Sequence, residues 1–378
     1  MKTTFKQSIY LLFAVLLFAS CNKGGPNITK ETFGKMADGR EVSIYTLVNA
    51  KGYKVKITNF GAKVVSLEAP DRKGQVADVV LGYDSLKQYL AGDKFYGSTV
   101  GRYANRIAKG HFKLDSVEYT LAINNAPNSL HGGPFGFHSV LWNSEVIKNA
   151  DYPSLKLTYH SPDKEEGFPG NLDVTVIYTW TADNALKIEY EATTDKNTVC
   201  NLTNHAIFNL RGYGNGDILS HEMMINADGF TPVDSTLIPS GEIRPVKGTV
   251  MDFTTSTAIG KRITDSYEQL IKGKGYDHNY VLNTKGNITT LAASVYEPES
   301  GRVMEVYTTE PGLQFYSGNF LTGKDGGKAG TKYLFRTGFA LEAQKFPDSP
   351  NQPAFPTTLL KKGEKYTQVS IYKFTTKK

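Results

Sequence analysis

The most regular alternation of apolar and polar side chains runs through Leu172-Asp173-Val174-Thr175-Val176-Ile177-Tyr178-Thr179-Trp180 and resumes in Leu186-Lys187-Ile188-Glu189-Tyr190-Glu191-Ala192. Successive side chains of a β-strand point to opposite faces, so each segment predicts a strand with one buried face. Ala182-Asp183-Asn184 lies between them and has the composition of a turn. The two segments therefore predict an antiparallel hairpin.

Similar signals continue on both sides of this hairpin. Residues 84–110 and 124–134 are polar loops dotted with glycine or proline, and such segments often line functional sites. Helical spacing of apolar residues is confined to residues 260–271. Further strands are predicted at residues 42–47, 54–58, 64–70, 77–82, 112–121, 295–296 and 303–307. The fold class that this pattern predicts is all-β, a large antiparallel β-sandwich with few short helices.

The composition agrees with a β-rich globular protein. Of 378 residues, 40% are hydrophobic and 21% are charged, and the 22 Tyr, 20 Phe and 36 Gly favour strands and turns over helices. The net charge of +6 comes without a stripe of basic and aromatic residues, so no nucleic-acid partner is predicted. Since no repeat or composition break divides the chain, residues 31–378 are predicted to form a single domain.

The first twenty residues have the pattern of a signal peptide. Two lysines within residues 1–6 precede an apolar run at residues 9–19, which is short for a membrane span. Phe18-Ala19-Ser20-Cys21 resembles a bacterial lipobox, although leucine is usual where Phe18 stands. A plain cleaved signal with a chance cysteine is the alternative.

From this segment we predict a lipoprotein. Residues 1–20 are the signal peptide, residues 21–30 are a flexible tether, and a lipid on Cys21 is the only link to a membrane. The protein is then expected in the bacterial cell envelope, periplasmic or at the cell surface, as a monomer. With Cys21 lipidated, only Cys200 remains, so neither a disulfide framework nor a cysteine-based zinc site is expected.

Five polar clusters interrupt the apolar pattern. They are Asn105-Arg106, His131, His205, Tyr276-Asp277-His278-Asn279 and Glu342. Taken alone, each has an ordinary structural explanation, such as a turn histidine, an ion-paired arginine or a turn-capping aspartate. Carboxylates are rarely fully buried unless they are paired, which singles out Glu342 within its apolar segment. The sequence contains no HExxH, Walker or GxSxG motif.

His205 lies in Asn201-Leu202-Thr203-Asn204-His205-Ala206-Ile207-Phe208-Asn209-Leu210, an apolar run that also contains three asparagines. Asparagine is disfavoured inside strands because its amide competes for backbone hydrogen bonds. We therefore expect Asn201, Asn204 and Asn209 to hold the imidazole in a fixed orientation for proton transfer.

Seven segments in chain order cover nearly the whole chain after residue 21. They are Gly101-Arg102-Tyr103-Ala104-Asn105-Arg106-Ile107, Asn128-Ser129-Leu130-His131-Gly132-Gly133, Glu165-Glu166-Gly167-Phe168-Pro169-Gly170-Asn171-Leu172, Thr203-Asn204-His205, Tyr276-Asp277-His278-Asn279-Tyr280, Gln314-Phe315-Tyr316-Ser317-Gly318-Asn319 and residues 338–348 around Glu342. Together these segments resemble one family, the aldose 1-epimerases (galactose mutarotases).

The resemblance implies a mutarotase-type β-sandwich that interconverts the α and β anomers of aldoses such as galactose and glucose. It implies no cofactor, and no metal-ligating residue is predicted. By position, Glu342 corresponds to the general base and His205 to the general acid. The positions implied for sugar binding are Asn105, Arg106, His131, Asp277 and Gln314. One departure is Ala206-Ile207, where the family often has a threonine and an aromatic residue, which puts sugar contacts from those two side chains in doubt.

The chemistry of these residue types fits that reaction. Opening a hemiacetal requires a base for the C1 hydroxyl and an acid for the ring oxygen, and each contributes roughly 10²–10⁴-fold. Burial should raise the pKa of Glu342, whereas the charge of Arg106 should lower it. The sequence leaves that balance open.

Three other functions are compatible with these residues. Asp277 and Glu342 could serve as the paired carboxylates of a glycoside hydrolase. A phosphorylated-sugar epimerase would need a further arginine cluster, which is not found. A lipid-anchored carbohydrate-binding protein would not need both Glu342 and His205. The small-molecule partner predicted in each case is a sugar.

Overall fold

The computed structural model describes residues 27–92, 95–148, 150–324 and 326–378. The predicted signal peptide, Cys21 and the first part of the tether lie outside the described residues. Within them, no helix is both long and apolar enough to cross a lipid bilayer.

Strands dominate the described chain, and its two α-helices have only six residues each. The helices are Leu86–Ala91 (α1) and Glu268–Gly273 (α2). The strands are Asn27–Lys35 (β1), Glu41–Val48 (β2), Lys54–Thr58 (β3), Lys63–Pro70 (β4), Val76–Asp78 (β5), Ser98–Val100 (β6), Arg106–Ile107 (β7), His111–Leu114 (β8), Val117–Thr120 (β9), Ser129–Leu130 (β10), Asn143–Val146 (β11), Ser154–Ser161 (β12), Leu172–Trp180 (β13), Ala185–Thr194 (β14), Thr198–Val199 (β15), Thr203–His205 (β16), Glu222–Ile225 (β17), Ala227–Phe230 (β18), Arg244–Pro245 (β19), Thr257–Ala258 (β20), Asp277–Leu282 (β21), Ala293–Tyr296 (β22), Arg302–Thr308 (β23), Gly312–Tyr316 (β24), Ala340–Gln344 (β25), Leu359–Leu360 (β26) and Lys365–Thr376 (β27).

Three sheets make up the body of the fold. The largest has nine strands in the order β11-β12-β13-β14-β27-β23-β22-β17-β20. A first five-stranded sheet runs β1-β2-β3-β4-β5, and a second runs β19-β18-β21-β24-β25. One hydrophobic cluster contains Leu67 of the first, Val176 of the nine-stranded sheet and Leu313 of the second. The predicted all-β antiparallel sandwich with few short helices is confirmed.

The antiparallel hairpin predicted from residues 172–192 is confirmed by β13 and β14. Its antiparallel register runs from Leu172 opposite Thr194 to Trp180 opposite Leu186. Every second residue of β13, beginning with Leu172, is buried, while the intervening residues are half-buried or exposed. The apolar face is therefore removed from water, and each Å² of it contributes about 25 cal/mol to folding.

The helix predicted over residues 260–271 is wrong for most of its length. A short 3₁₀ turn covers Ile259–Lys261, and α2 begins only at Glu268. Ile263 and Leu270 are buried, but Ile271 is 68% exposed. Buried residues on either side of a turn imitated the spacing of one helical face.

Three other predicted boundaries also change. The single strand predicted at residues 112–121 is a hairpin of β8 and β9. Residues 27–30, placed in the tether, belong to β1 and pair with β2, where Ile28 packs against the main hydrophobic cluster. The strand predicted at residues 77–82 is limited to Val76–Asp78. Beyond it, Val80 forms only an isolated antiparallel bridge with Phe208, and the Leu81 amide donates to the Ile207 carbonyl.

Candidate active site

One cavity of about 440 Å³ collects most of the predicted site residues. It opens between the second five-stranded sheet, the β6–β16 pair and the loops around β7 and β10. Six of the seven predicted residues line it, and all six are largely buried: Asn105, Arg106, His131, His205, Asp277 and Glu342. The seventh, Gln314, is not part of the lining.

Strands β21, β24 and β25 place acidic and amide groups on one sheet face. Gln314 is the register partner of Glu342 in the next strand, so their side chains are cross-strand neighbours. Asp277 lies two residues before Asn279, which is opposite Gln314, and therefore points to the same face. Gln314 Nε2 donates to Asp277 Oδ1 at 2.7 Å, which makes Gln314 a support behind Asp277.

Asn105 and His131 are held together by the short β7–β10 pairing. Both have positive φ, 62° and 52°, which is uncommon for residues other than glycine and often marks functional sites. The His131 amide donates to the Asn105 carbonyl, and the Asn105 amide donates to His131 Nδ1 at 3.2 Å. At Gly132, φ is +81° and a Cβ would clash with the Gly101 carbonyl oxygen, so only glycine allows this loop to pack.

These contacts fix the protonation of His131. Burial, followed by the positive field of nearby groups, lowers the pKa of His131 well below its usual range, so the ring is neutral. Because Nδ1 accepts a hydrogen bond from Asn105, the single ring proton is on Nε2. His131 therefore presents a neutral N–H donor.

Arg106 and Asp277 form a polar wall beside this donor. Arg106 Nη2 is 3.9 Å from Asp277 Oδ2, and Arg106 Nε donates to Asn125 Oδ1 at 3.0 Å. Both side chains are less than a tenth exposed. With Gln314 on the other oxygen of Asp277, this wall offers oriented donors and acceptors of the type that recognise hydroxyl groups.

His205 and Glu342 face each other from strands of two different sheets. His205 ends β16, opposite Ser98 of β6, whereas Glu342 is the central residue of β25. The His205 Nε2 and Glu342 Oε1 atoms are 3.6 Å apart. Burial raises the pKa of the Glu342 carboxyl to about 7, despite the opposing charges of His205 and Arg106. Burial thus prevails in the balance that the sequence left open.

The expectation that the three asparagines hold the His205 imidazole is wrong. Asn204 Nδ2 donates to the Gly97 carbonyl, and its Oδ1 accepts from the Ala206 amide. Asn201 and Asn209 likewise bind backbone groups. Among the described residues, His205 Nδ1 has no hydrogen-bond partner. The asparagines fix the path of the chain around His205 and not its ring.

His131, His205 and Glu342 also resemble the donor set of a metal site. Their possible ligand atoms lie within 4.8 Å of one another. However, the Asn105 amide occupies Nδ1 of His131, so its Nε2 carries a proton and has no lone pair for a cation. The absence of a metal stays a prediction.

Residues 43–373 match the family model described as aldose 1-epimerase. The chain belongs to the aldose 1-epimerase family. It is 44% identical over 348 residues to galactose mutarotase from Sus scrofa, covering 92% of this chain and 98% of that protein. It is 39% identical over 347 residues to aldose 1-epimerase from Escherichia coli K12, covering 91% and 98%.

Solved structures of aldose epimerases have the same fold. Galactose 1-epimerase from Lactobacillus acidophilus superimposes with a TM-score of 0.82 at 26% identity, covering 94% of this chain and 100% of that chain. An aldose epimerase homologue from C. elegans gives 0.79 at 32% identity, covering 86% and 96%. The prediction of an isomerase that interconverts the α and β anomers of aldoses is confirmed.

Sequence reasoning missed several apolar lining residues. Phe95, Tyr316 and Phe320 line the cavity of this epimerase, but their aromatic side chains carried no signal that distinguishes a cavity wall from a core. The departure at Ala206-Ile207 also becomes clear. Ile207 lines the cavity as an apolar wall, whereas Ala206 is buried outside it.

Proposed function

We propose that Glu342 and His205 carry the epimerase reaction, Glu342 as general base and His205 as general acid. The observation that carries the proposal is the 3.6 Å separation of Glu342 Oε1 and His205 Nε2 within the cavity. The C1 hydroxyl and the ring oxygen of an aldose are attached to the same carbon. A base and an acid that act on them must therefore be neighbours.

The steps follow from ordinary acid–base chemistry. Glu342 removes the proton of the C1 hydroxyl while His205 protonates the ring oxygen, and the bond between C1 and the ring oxygen breaks. Rotation about C1–C2 presents the other face of the resulting aldehyde. His205 then removes the proton from the attacking hydroxyl while Glu342 returns its proton to the carbonyl oxygen. Each residue ends as it began.

The raised pKa suits Glu342 for this role. A general base works best when its pKa lies near the working pH, since it is then ionised yet basic enough to take a proton. A carboxylate with an ordinary pKa would be ionised but weaker. Burial supplies this adjustment of the pKa of Glu342, against the opposing charges of His205 and Arg106.

The remaining polar groups bind and orient the sugar in this proposal. His131 donates from Nε2, and Asn105, Arg106 and Asp277 present amide, guanidinium and carboxylate groups to the hydroxyls. Gln314 acts through Asp277, which it orients by the 2.7 Å hydrogen bond. Since Asp277 is already engaged by Arg106 and Gln314, the geometry favours a binding role for it over that of a hydrolytic acid.

Polarimetry on freshly dissolved α-D-galactose and α-D-glucose tests the proposal. The wild type should accelerate the approach to anomeric equilibrium, while Glu342→Gln and His205→Asn should each lose roughly 10²–10⁴-fold in kcat. Circular dichroism checks that both variants are folded. Wild-type rates in either folded variant would overturn its assigned role.

The same proposal includes the lipid anchor on Cys21 and a monomer in the cell envelope. It is supported by the apolar run at residues 9–19 and the small residues before Cys21. Labelled palmitate should be incorporated into the wild type expressed in a bacterium and not into Cys21→Ser, which should leave the membrane fraction. A labelled Cys21→Ser protein would contradict the anchor, and sedimentation of the soluble domain tests the monomer.

A further inference from the structure

We infer that Phe95 is the positioning residue that sets the ring orientation of His205, an inference that rests on the acid role proposed for His205. A general acid must aim one nitrogen at the ring oxygen. The usual means is a hydrogen bond to the other nitrogen, which fixes the ring about its Cβ–Cγ bond. Among the residues that the structure describes, His205 Nδ1 has no such bond, although that atom is buried.

Packing against other rings takes the place of this hydrogen bond. The Phe95 and His205 ring centroids are 5.9 Å apart with the planes inclined by 37°. His131 contacts His205 edge-on, at 5.1 Å and 90°. Aromatic pairs at such distances prefer defined inclinations, so the two neighbours together limit rotation of the His205 ring.

Phe95 is itself fixed on several sides. Its ring also lies against His131 at 4.8 Å and against His138, which is buried, at 4.7 Å. Its carbonyl accepts hydrogen bonds from the amide and the hydroxyl of Ser98. Ser98 is the register partner of His205, so the turn that carries Phe95 is connected directly to the strand that carries His205.

The position of Phe95 allows it to act through His205. Phe95 is half-buried and lines the same cavity as the catalytic pair. Its ring is apolar and can neither give nor take a proton, so it has no step of its own in the reaction. Its effect is to keep Nε2 of His205 directed at the space beside Glu342 Oε1.

Phe95→Leu tests the inference because it keeps an apolar side chain and removes the flat ring. Misplacing a reacting group by about 1 Å can cost on the order of 10²-fold. We expect kcat for α-D-galactose to fall roughly 10- to 100-fold per folded enzyme, with KM changed far less. Phe95→Tyr keeps the ring and should retain most of the rate.

The matched control is Phe33→Leu. Phe33 is also half-buried but lies on β1 outside the cavity, where its ring meets Tyr89 at 6.2 Å. This variant should keep kcat, which separates a general loss of packing from the loss of orientation. If Phe95→Leu does not fold, Phe95→Met replaces it in every measurement.

Nitrogen-15 NMR of the imidazoles, recorded without sugar, reports directly on the surroundings and orientation of the His205 ring. The His205 signals, assigned from their absence in His205→Asn, should shift or broaden in Phe95→Leu and stay unchanged in Phe33→Leu. Unchanged His205 signals, or a raised KM with kcat retained, would overturn the inference. This measurement needs no turnover. A wild type that is inactive in polarimetry would therefore overturn the proposed acid role, while the NMR spectra would still test the orientation of the His205 ring.

Discussion

Glu342 and Glu310 are two buried carboxyls with the same raised pKa and different surroundings. Burial raises the pKa of each to about 7, and each has one carboxylate oxygen without a hydrogen-bond partner among the described residues. Glu342 lines the cavity and lies 3.6 Å from His205. Glu310 lies in the turn between β23 and β24, is 3% exposed and does not line the cavity.

A raised pKa alone therefore does not identify a catalytic group. Both carboxyls are poised to take up a proton near neutral pH, but only Glu342 is accessible to a sugar and has an acid beside it. At Glu310 the same burial is a cost to folding. Perturbed titration therefore indicates a site only together with a cavity and a partner.

Neutralising each carboxyl in turn should produce the largest difference, which is expected in kcat. Glu342→Gln is expected to lower kcat by roughly 10²–10⁴-fold because it removes the base. Glu310→Gln is expected to keep the wild-type rate, since Glu310 does not line the cavity. Polarimetry at pH 8 compares the two nearly isosteric variants. A large loss of kcat in Glu310→Gln would contradict the assignment of Glu342 as the catalytic carboxyl of the two.

The pH dependence of activity should follow Glu342 and not Glu310. Protonated Glu342 cannot accept a proton, so kcat/KM should fall up to tenfold per pH unit below about 7. Burial is the main cause of the raised pKa and the negative charge of Asp277 adds to it, so Asp277→Asn should move this fall to lower pH. Glu310→Gln is the control, and a shifted profile in that variant would contradict the assignment.

Glu310 should lower the free energy of unfolding progressively over a defined range of pH. Its folded-state pKa of about 7 lies above the ordinary 4.5, so the folded protein holds a proton that the unfolded chain releases. The resulting destabilisation is absent below about pH 4.5, grows up to about pH 7 and is constant above. Glu310→Gln should therefore raise the free energy of unfolding at pH 8 by on the order of 1–3 kcal/mol, and hardly at pH 4.

Urea unfolding at both pH values measures this effect. An equal gain at pH 4 and pH 8 would show that better packing, and not the removal of a titrating carboxyl, is responsible. Loss of stability at pH 8 would contradict the assignment altogether.

The smallest effect is expected at Lys345. Its positive charge lowers the pKa of Glu310 and so partly opposes the effect of burial. Lys345→Gln should raise the pKa of Glu310, and with it the pH above which the destabilisation is constant, by less than about one unit. Lys345→Arg keeps the charge and should leave that pH unchanged. Melting temperatures between pH 5 and pH 9 distinguish the two variants.

Regular strands were the most predictable part of the fold. The hairpin of β13 and β14 carries its alternation over nine and ten residues, which is enough to define both faces. The helix predicted over residues 260–271 was wrong because periodicity cannot distinguish one helix from buried residues on either side of a turn. Ile271 illustrates this, since it fits the helical spacing and yet is 68% exposed.

The site was predictable where chemistry and family resemblance agreed. Six of the seven residues predicted for it came from polar clusters, and those six meet in one cavity. The seventh, Gln314, came from the family resemblance alone. Phe95 and the support role of Gln314 were not predictable. A ring that touches three imidazoles and an amide that stands behind Asp277 are defined by tertiary contacts, and nothing in their local sequence records those contacts.

The position of β27 has a consequence for how the protein is made. β27 follows every other strand described, yet it lies in the middle of the nine-stranded sheet, between β14 and β23. Until residues 365–376 leave the ribosome, the edges of β14 and β23 have no partner, and unpaired edges invite aggregation. A nascent chain that stops short of β27 should therefore be a client for chaperones and proteases, not a partly active enzyme.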